Sequence, residues 1–267
     1  FIWRMLAMWA ALVGYLVVSG RLSLHIGKLK QLRAAKQWAW LLLPTPIFLS
    51  QFWLFMWAPI NGQGVQTAVG YFLFPLMMVL FGCVLFGEKL SRLQWLAVGF
   101  AALGVGSEIV RIQSVSWATL WVCGTYPLYY IIRRLQGIGA ITGLLVDLTI
   151  FAPFALGYLC FIAPSSLSLV GGSGFFIMML IGLGILSVLA MKTNVDASQM
   201  LPVNVYGMMS YLEPALLFIL AITVLGNPFE SAMLYSYGLI WLGIAFLIIH
   251  GFRQLRKASQ AKKASLK

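Results

Sequence analysis

Two carboxylates stand inside apolar runs of this 267-residue chain: Glu213 in "SYLEPALLFILAITVLG" and Asp147 in "GLLVDLTIFAP". A charge near the centre of a bilayer costs about 3 kcal/mol on insertion scales, so such a residue is a functional candidate by default. Pro214 follows Glu213 directly and has no N–H, which frees a carbonyl one turn back and predicts a helix broken around a polar cavity. Tyr206, Ser210 and Glu213, spaced four and three apart, share one face of that helix. Each acid is therefore a candidate to exchange a proton or to meet a substrate. The competing reading is an acid hydrogen-bonded within the packing.

Aromatic and polar side chains supply a second set of candidates. Gln51 and Asn61 bracket a helix end holding Phe52, Trp53, Phe55 and Trp57, and Tyr126, Tyr129, Tyr130 and Arg133 form a stripe at spacings of three, four and seven. Such stripes line cavities that take amphipathic or cationic solutes by stacking and cation–π contact, or else serve as packing and interface belts. We carry Gln51, Trp57, Tyr71, Tyr126, Tyr129 and Ser210 forward as substrate candidates. Arg4, at the outer edge of its run, either joins them or snorkels toward water. Lys192 and Asp196 are four apart and read as a solvated pair.

Metal and nucleophile chemistry lack visible parts. Cys83, Cys123 and Cys160 are widely spaced within apolar runs, and His25 and His250 have no third ligand, so no metal or cofactor is expected. There is no G-x-S-x-G, H-E-x-x-H, P-loop or dinucleotide fingerprint, and no enzymatic activity is expected.

The elements that position these residues follow from composition. The chain is 61% hydrophobic and only 9% charged, against about 25% charged in soluble domains. Apolar runs near the ~20 residues that a helix needs to cross a bilayer recur nine times, at roughly 2–19, 38–58, 67–86, 93–110, 117–132, 140–162, 174–191, 203–224 and 231–249. They are continuous and too long for barrel strands, so the fold class is all-α, a polytopic helical membrane protein. The net charge of +12 does not indicate nucleic acid. Most Lys and Arg fall in alternate connections: residues 20–37, "GEKLSR", Arg133 and Arg134, Lys192, and the end after His250. That is the positive-inside pattern, which places the C-terminal tail 253–267 in the cytoplasm.

An internal repeat sharpens the topology. "YFLFPLMMVLFGCVLFGEKLSRLQWLAVGFAALG" overlays "SYLEPALLFILAITVLGNPFESAMLYSYGLIWLG" at a constant shift of 139, with Pro75 on Pro214, Gly87 on Gly226, Gly99 on Gly238 and Gly104 on Gly243. We read Pro75, Pro214, Gly87 and Gly226 as structural hinges. The third helix then matches the eighth, five helices on, so the halves 1–116 and 117–252 are inverted, a common construction in secondary transporters. The second half holds five helices and the first four. A helix before Phe1 is therefore expected, in a ten-helix parent with both ends cytoplasmic.

The stretches "QFWLFMWAPINGQGVQTAVGYFLFPLMMVLFGCVLFGEKLSRLQWLAVGFAALGV", "YYIIRR", "GLLVDLTIFAP" and "YGMMSYLEPALLFILAITVLG" resemble, in order, the RarD-like branch of the EamA-type drug/metabolite transporter (DMT) superfamily. The resemblance implies a ten-helix inner-membrane permease of two inverted EamA-type repeats, moving small metabolites or toxic compounds, often by efflux. It implies that Arg4 matches an arginine of the second helix, able to meet an anionic substrate or pair an acid. The sequence departs from the pattern at Phe74, Gln66 and Ser210, where the branch usually has an amide, an acid and a Gln, so substrate identity does not carry over. The expected function is a secondary active transporter working by alternating access, with protons as a coupling ion, the lipid bilayer and a small molecule as partners, and no nucleic acid. A channel-like or non-transporting integral membrane protein is the alternative.

Overall fold

A backbone segment in hydrocarbon must satisfy its own hydrogen bonds, which a helix does within one segment. In the computed structural model every described apolar run is helical. The structure describes residues 1–113, 115–167 and 174–213, together with 216, 219, 223, 235, 238–246, 248 and 249, and not the side chain of residue 112. Among these, the helices are α1 (Ile2–Val18), α2 (Leu22–Lys30), α3 (Ala35–Leu42), α4 (Thr45–Ile60), α5 (Gly64–Phe86), α6 (Arg92–Ile112), α7 (Trp117–Gln136), α8 (Ala140–Gly157), α9 (Gly174–Met200) and α10 (Val203–Met209). A π turn, Tyr158–Ile162, and a 3-10 turn, Pro164–Leu167, follow α8.

Five helical stretches among the described residues are long and apolar enough to cross a membrane, or six when the bent α1–α2 pair counts as one. The protein is an integral, multi-pass membrane protein. The α9 span makes the point locally: only 17% of its apolar window is buried, and Phe175, Met178, Leu186 and Leu189 stand exposed, as suits a surface facing lipid.

The α1–α2 bend of 103° has an identifiable cause. Gly20 takes the left-handed conformation at φ +66°, while its N–H donates to Val17 O (3.0 Å) and that of Arg21 to Leu16 O (2.9 Å). This is a Schellman stop, satisfying carbonyls that a helix end leaves over. Residues 20–37, read from the sequence only as a basic connection, thus contain a short helix of their own.

The chain forms two compact units. The first comprises Phe1–Met56 with Leu128–Met200, and the second Trp57–Pro127 with Leu201–Lys267. Each draws on both sequence halves. The chain passes from one to the other after Met56, Pro127 and Met200, each within three residues of a proline (Pro59, Pro127 and Pro202).

Small residues allow close packing within each unit, as membrane helices require without a hydrophobic drive between them. In the first, a Cβ on Gly184 of α9 would lie 2.4 Å from Ala7 O of α1. In the second, a Cβ on Gly207 of α10 would lie 2.6 Å from Met78 Cβ of α5. Of the expected hinges, Gly87 ends α5 in the left-handed conformation (φ +62°), and Pro75 sits buried within an α5 that continues through it. Pro214 and Gly226 lie outside the described residues, as does the tail 253–267.

Candidate functional site

Asp147 lies on α8 with no exposed surface, and side chains from two other helices, α4 and α7, converge on it. Thr45 at the start of α4 donates to its Oδ1 (2.6 Å), Tyr129 of α7 donates its phenol to Oδ2 (3.3 Å), and Arg133, also of α7, forms an ion pair with Oδ1. Arg133 is itself 1% exposed; its Nη1 donates to Leu41 O (3.2 Å) and Gln136 Oε1 (2.9 Å) and its Nη2 also to Gly143 O (3.5 Å), while its buried Nε has no hydrogen-bond partner among the described residues. Gly143 makes room for it, because a Cβ there would sit 3.2 Å from Arg133 Nε. Gln136 extends the network by donating to Trp40 O (2.6 Å). A buried charge pair is tolerated when its remaining donors and acceptors are satisfied, and here each Asp147 oxygen is.

Arg133, read from the sequence both as a charge of a basic connection and as the end of the tyrosine stripe, is the buried counter-ion of Asp147. Arg134, beside it in the last turn of α7, instead donates to Ser198 O (3.0 Å) in the last turn of α9. The tyrosine stripe is likewise divided. Tyr129 and Tyr130 are buried and meet edge to face at 5.2 Å, while Tyr126 is half-buried.

Arg4 of α1 lies in the same unit, its guanidinium 4.9 Å from the ring centroid of Phe52 on α4. Phe52 meets Phe48 (4.7 Å), and Phe48 meets Tyr129 (5.5 Å). An aromatic row therefore joins Arg4 to the Asp147 network. Gln51, next to Phe52, is 2% exposed.

In the second unit Tyr126 stands against Tyr71 (5.9 Å, edge on) and Phe74 (4.9 Å), and Trp57 against Trp117 (5.9 Å). Glu88, read from the sequence only as part of a basic loop, has a defined task. Its Oε1 accepts from Val203 N (2.7 Å) and its Oε2 from Asn204 N (2.8 Å), so a carboxylate caps the start of α10, where the helix dipole favours negative charge.

The predicted break in that helix is present. α10 ends at Met209, Ser210 and Tyr211 form a turn, and helix resumes at Leu212. The Ser210 carbonyl, which Pro214 cannot serve four residues on, accepts from Glu213 N at 3.3 Å. Ser210 turns its hydroxyl back onto Tyr206 O (2.9 Å). Tyr206 is buried, whereas the Glu213 side chain is exposed and has no hydrogen bond or ion pair among the described residues.

The acids thus sort themselves. The chain has six, of which Glu230 lies outside the described residues. Asp147 pairs with Arg133, Glu88 caps α10, Glu108 is held by Arg111 through Nε (3.2 Å) and Nη2 (2.5 Å), and Asp196 meets Lys192 at 2.7 Å. Glu213 alone among the described acids has no such partner. Among the described residues, no cluster of three His, Cys, Asp or Glu could hold a metal ion.

No family model matches the chain. Curated relatives do. An "Uncharacterized transporter" of Haemophilus influenzae is 38% identical over 263 residues, covering 96% of this chain and 86% of its own. The "Chloramphenicol-sensitive protein RarD" of Pseudomonas aeruginosa is 35% identical over 225 residues, 83% of this chain and 75% of its own. "Protein RarD" of Escherichia coli K12 is 28% identical over 234 residues, 87% and 79% respectively. A crystal structure 18% identical in sequence matches the fold with a TM-score of 0.64 over 92% of this chain and 86% of its own. Helical spans, an intramembrane acid and relatives of this identity and coverage agree: the chain belongs to the RarD-like EamA-type branch of the drug/metabolite transporter superfamily, a family of transporters.

Proposed function

We propose that this protein is a secondary active transporter of small metabolites or drug-like compounds, acting as an exporter by alternating access and coupled to protons through Glu213. The observation that carries the proposal is the contrast among its acids: Glu213 is the described carboxylate left without a partner, and it follows a helix break within an apolar run. An acid so placed can take a proton or a cationic group, whereas one held in a buried ion pair cannot without breaking that pair.

In this reading the chain supplies nine spans of a ten-helix inner-membrane fold built as inverted repeats 1–116 and 117–252, with the C-terminus cytoplasmic. Three features support alternating access. Each compact unit draws on both halves, every passage between units lies within three residues of a proline, and the helix before Glu213 is already interrupted. Tyr71 and Tyr126, both half-buried, offer an aromatic surface for substrate in the second unit, and Arg4 with Phe52 a cationic one in the first.

The test is a thermal-shift screen of the purified protein against amino acids, nucleosides and drugs, followed by counterflow of a labelled hit in proteoliposomes. A ligand at a hundred times its Kd adds about 2.7 kcal/mol of stability. Saturable counterflow is the expected result. Flux that does not saturate would favour a channel, and no flux for any stabilising compound would overturn the carrier reading.

A further inference from the structure

Within the first unit an apolar groove of about 1030 Å³ runs between α1 and α9, closed in part by Ile141 and Leu156 of α8. Its floor on α1 is made of small residues, Ala7, Ala10, Ala11 and Gly14. The two helices run the same way, since Trp3 meets Phe176 at 6.1 Å and Gly184 touches Ala7 further along. From Trp3 to Ser19 the groove follows α1 for about 24 Å, enough for the ~15 Å of one leaflet's hydrocarbon and the headgroup region beyond it.

Hydroxyl and charged groups gather at one end only. Tyr15, Ser19 and Lys192 line that mouth, and Arg21 reaches it by donating to the Tyr15 hydroxyl at 3.5 Å. Lys192 is paired with Asp196, but both side chains are more than a third exposed. A pair of that kind contributes only about 0.2–1 kcal/mol, less than a charge-assisted bond to phosphate gains, so the ammonium is available to a better anion. The chain leaves this mouth into α2, which carries Lys28 and Lys30 in its last turn.

We infer that this groove holds an acyl chain of an anionic phospholipid, with its phosphate between Arg21 and Lys192. Charge selects the occupant: an apolar trough with two cations at one end is complementary to a lipid carrying net negative charge. In the orientation proposed above, on which this inference rests, the mouth faces the cytoplasmic leaflet, whose surface is negative.

Native mass spectrometry of the purified protein, with phosphatidylglycerol or phosphatidylcholine added at equal concentration in detergent, tests this directly. Phosphatidylglycerol adducts are expected to be retained preferentially. Arg21→Ala and Lys192→Ala should each cut that preference about fivefold. Asp196→Asn should raise it, and Gly14→Phe, which fills the trough, should remove the adducts. Equal retention of both lipids, or a preference unmoved by the charge variants, would overturn the inference. So would a dimer that Gly14→Phe abolishes, since the groove would then seat a second copy. The readout needs no transport, so failed counterflow leaves this site standing, and lost lipid preference with intact counterflow removes the site alone.

Discussion

Asp147 and Glu213 present the same chemical group inside apolar segments, and their surroundings differ at every point. Asp147 is fully buried, with Thr45, Tyr129 and Arg133 on its oxygens and helices α4, α7 and α8 meeting around it. Glu213 is exposed after a broken helix and has no partner among the described residues. A buried pair is costly to break and gives little net stability relative to an apolar substitute, so its value lies in holding a particular arrangement of helices. An acid without a partner among the described residues is the better placed of the two to bind. Position in a span marks a residue as worth attention, and its neighbours decide whether it works or fastens.

The largest effect that follows is on stability. Asp147→Ala strands the Arg133 guanidinium and should cost about 3–5 kcal/mol in reversible unfolding in detergent. Asp147→Leu combined with Arg133→Met should recover most of that loss, with a coupling of about 0.5–3 kcal/mol in a double-mutant cycle. A cycle without coupling would show that the two residues do not act as a pair.

Glu88→Ala removes the carboxylate from the start of α10 and should cost about 0.5–2 kcal/mol. Glu88→Gln, which keeps an acceptor, should cost less. Glu213→Gln sharpens the comparison from the other side: its effect on stability should stay within about 0.5 kcal/mol, as for an exposed site, while the pH dependence of transport is lost.

The smallest effect concerns His25 on α2, outside the membrane spans. It is buried and its Nδ1 lies 2.8 Å from Thr142 Oγ1. Burial, and then the nearby Lys28 and Arg21, hold its pKa below the ordinary 6.5. The unfolded chain therefore takes up a proton that the folded one resists. This contribution to stability is complete above pH ~6.5 and declines as the pH falls below it. A melting series from pH 7.5 to 5.5 should slope downward, and less so for His25→Gln.

Much of the fold was legible because apolar length is a strong signal. The run 67–86 became Gly64–Phe86, 93–110 became Arg92–Ile112, and the proline beside Glu213 foretold the turn at Ser210. The partnerships were not legible. Arg133 sits beside Arg134 at a helix end, and charge counting cannot tell a buried guanidinium from an exposed one; only the glycine at 143, where the side chain passes, hints at the difference. Glu88 caps a helix 115 residues later in the chain, and local capping rules reach only a few residues. The π turn after α8 left no readable mark. Hydrophobic patterning sets how the chain is divided into helices, while the sites depend on which helices then meet.

Proton coupling through Glu213 is tested by counterflow of a stabilising solute at two pH values, comparing Glu213→Gln with the Asp147→Leu/Arg133→Met pair in proteoliposomes. Glu213→Gln is expected to abolish the pH dependence, and the double variant, once folded, to keep it. A pH-dependent Glu213→Gln beside a pH-insensitive double variant would contradict it and move the proton site to Asp147.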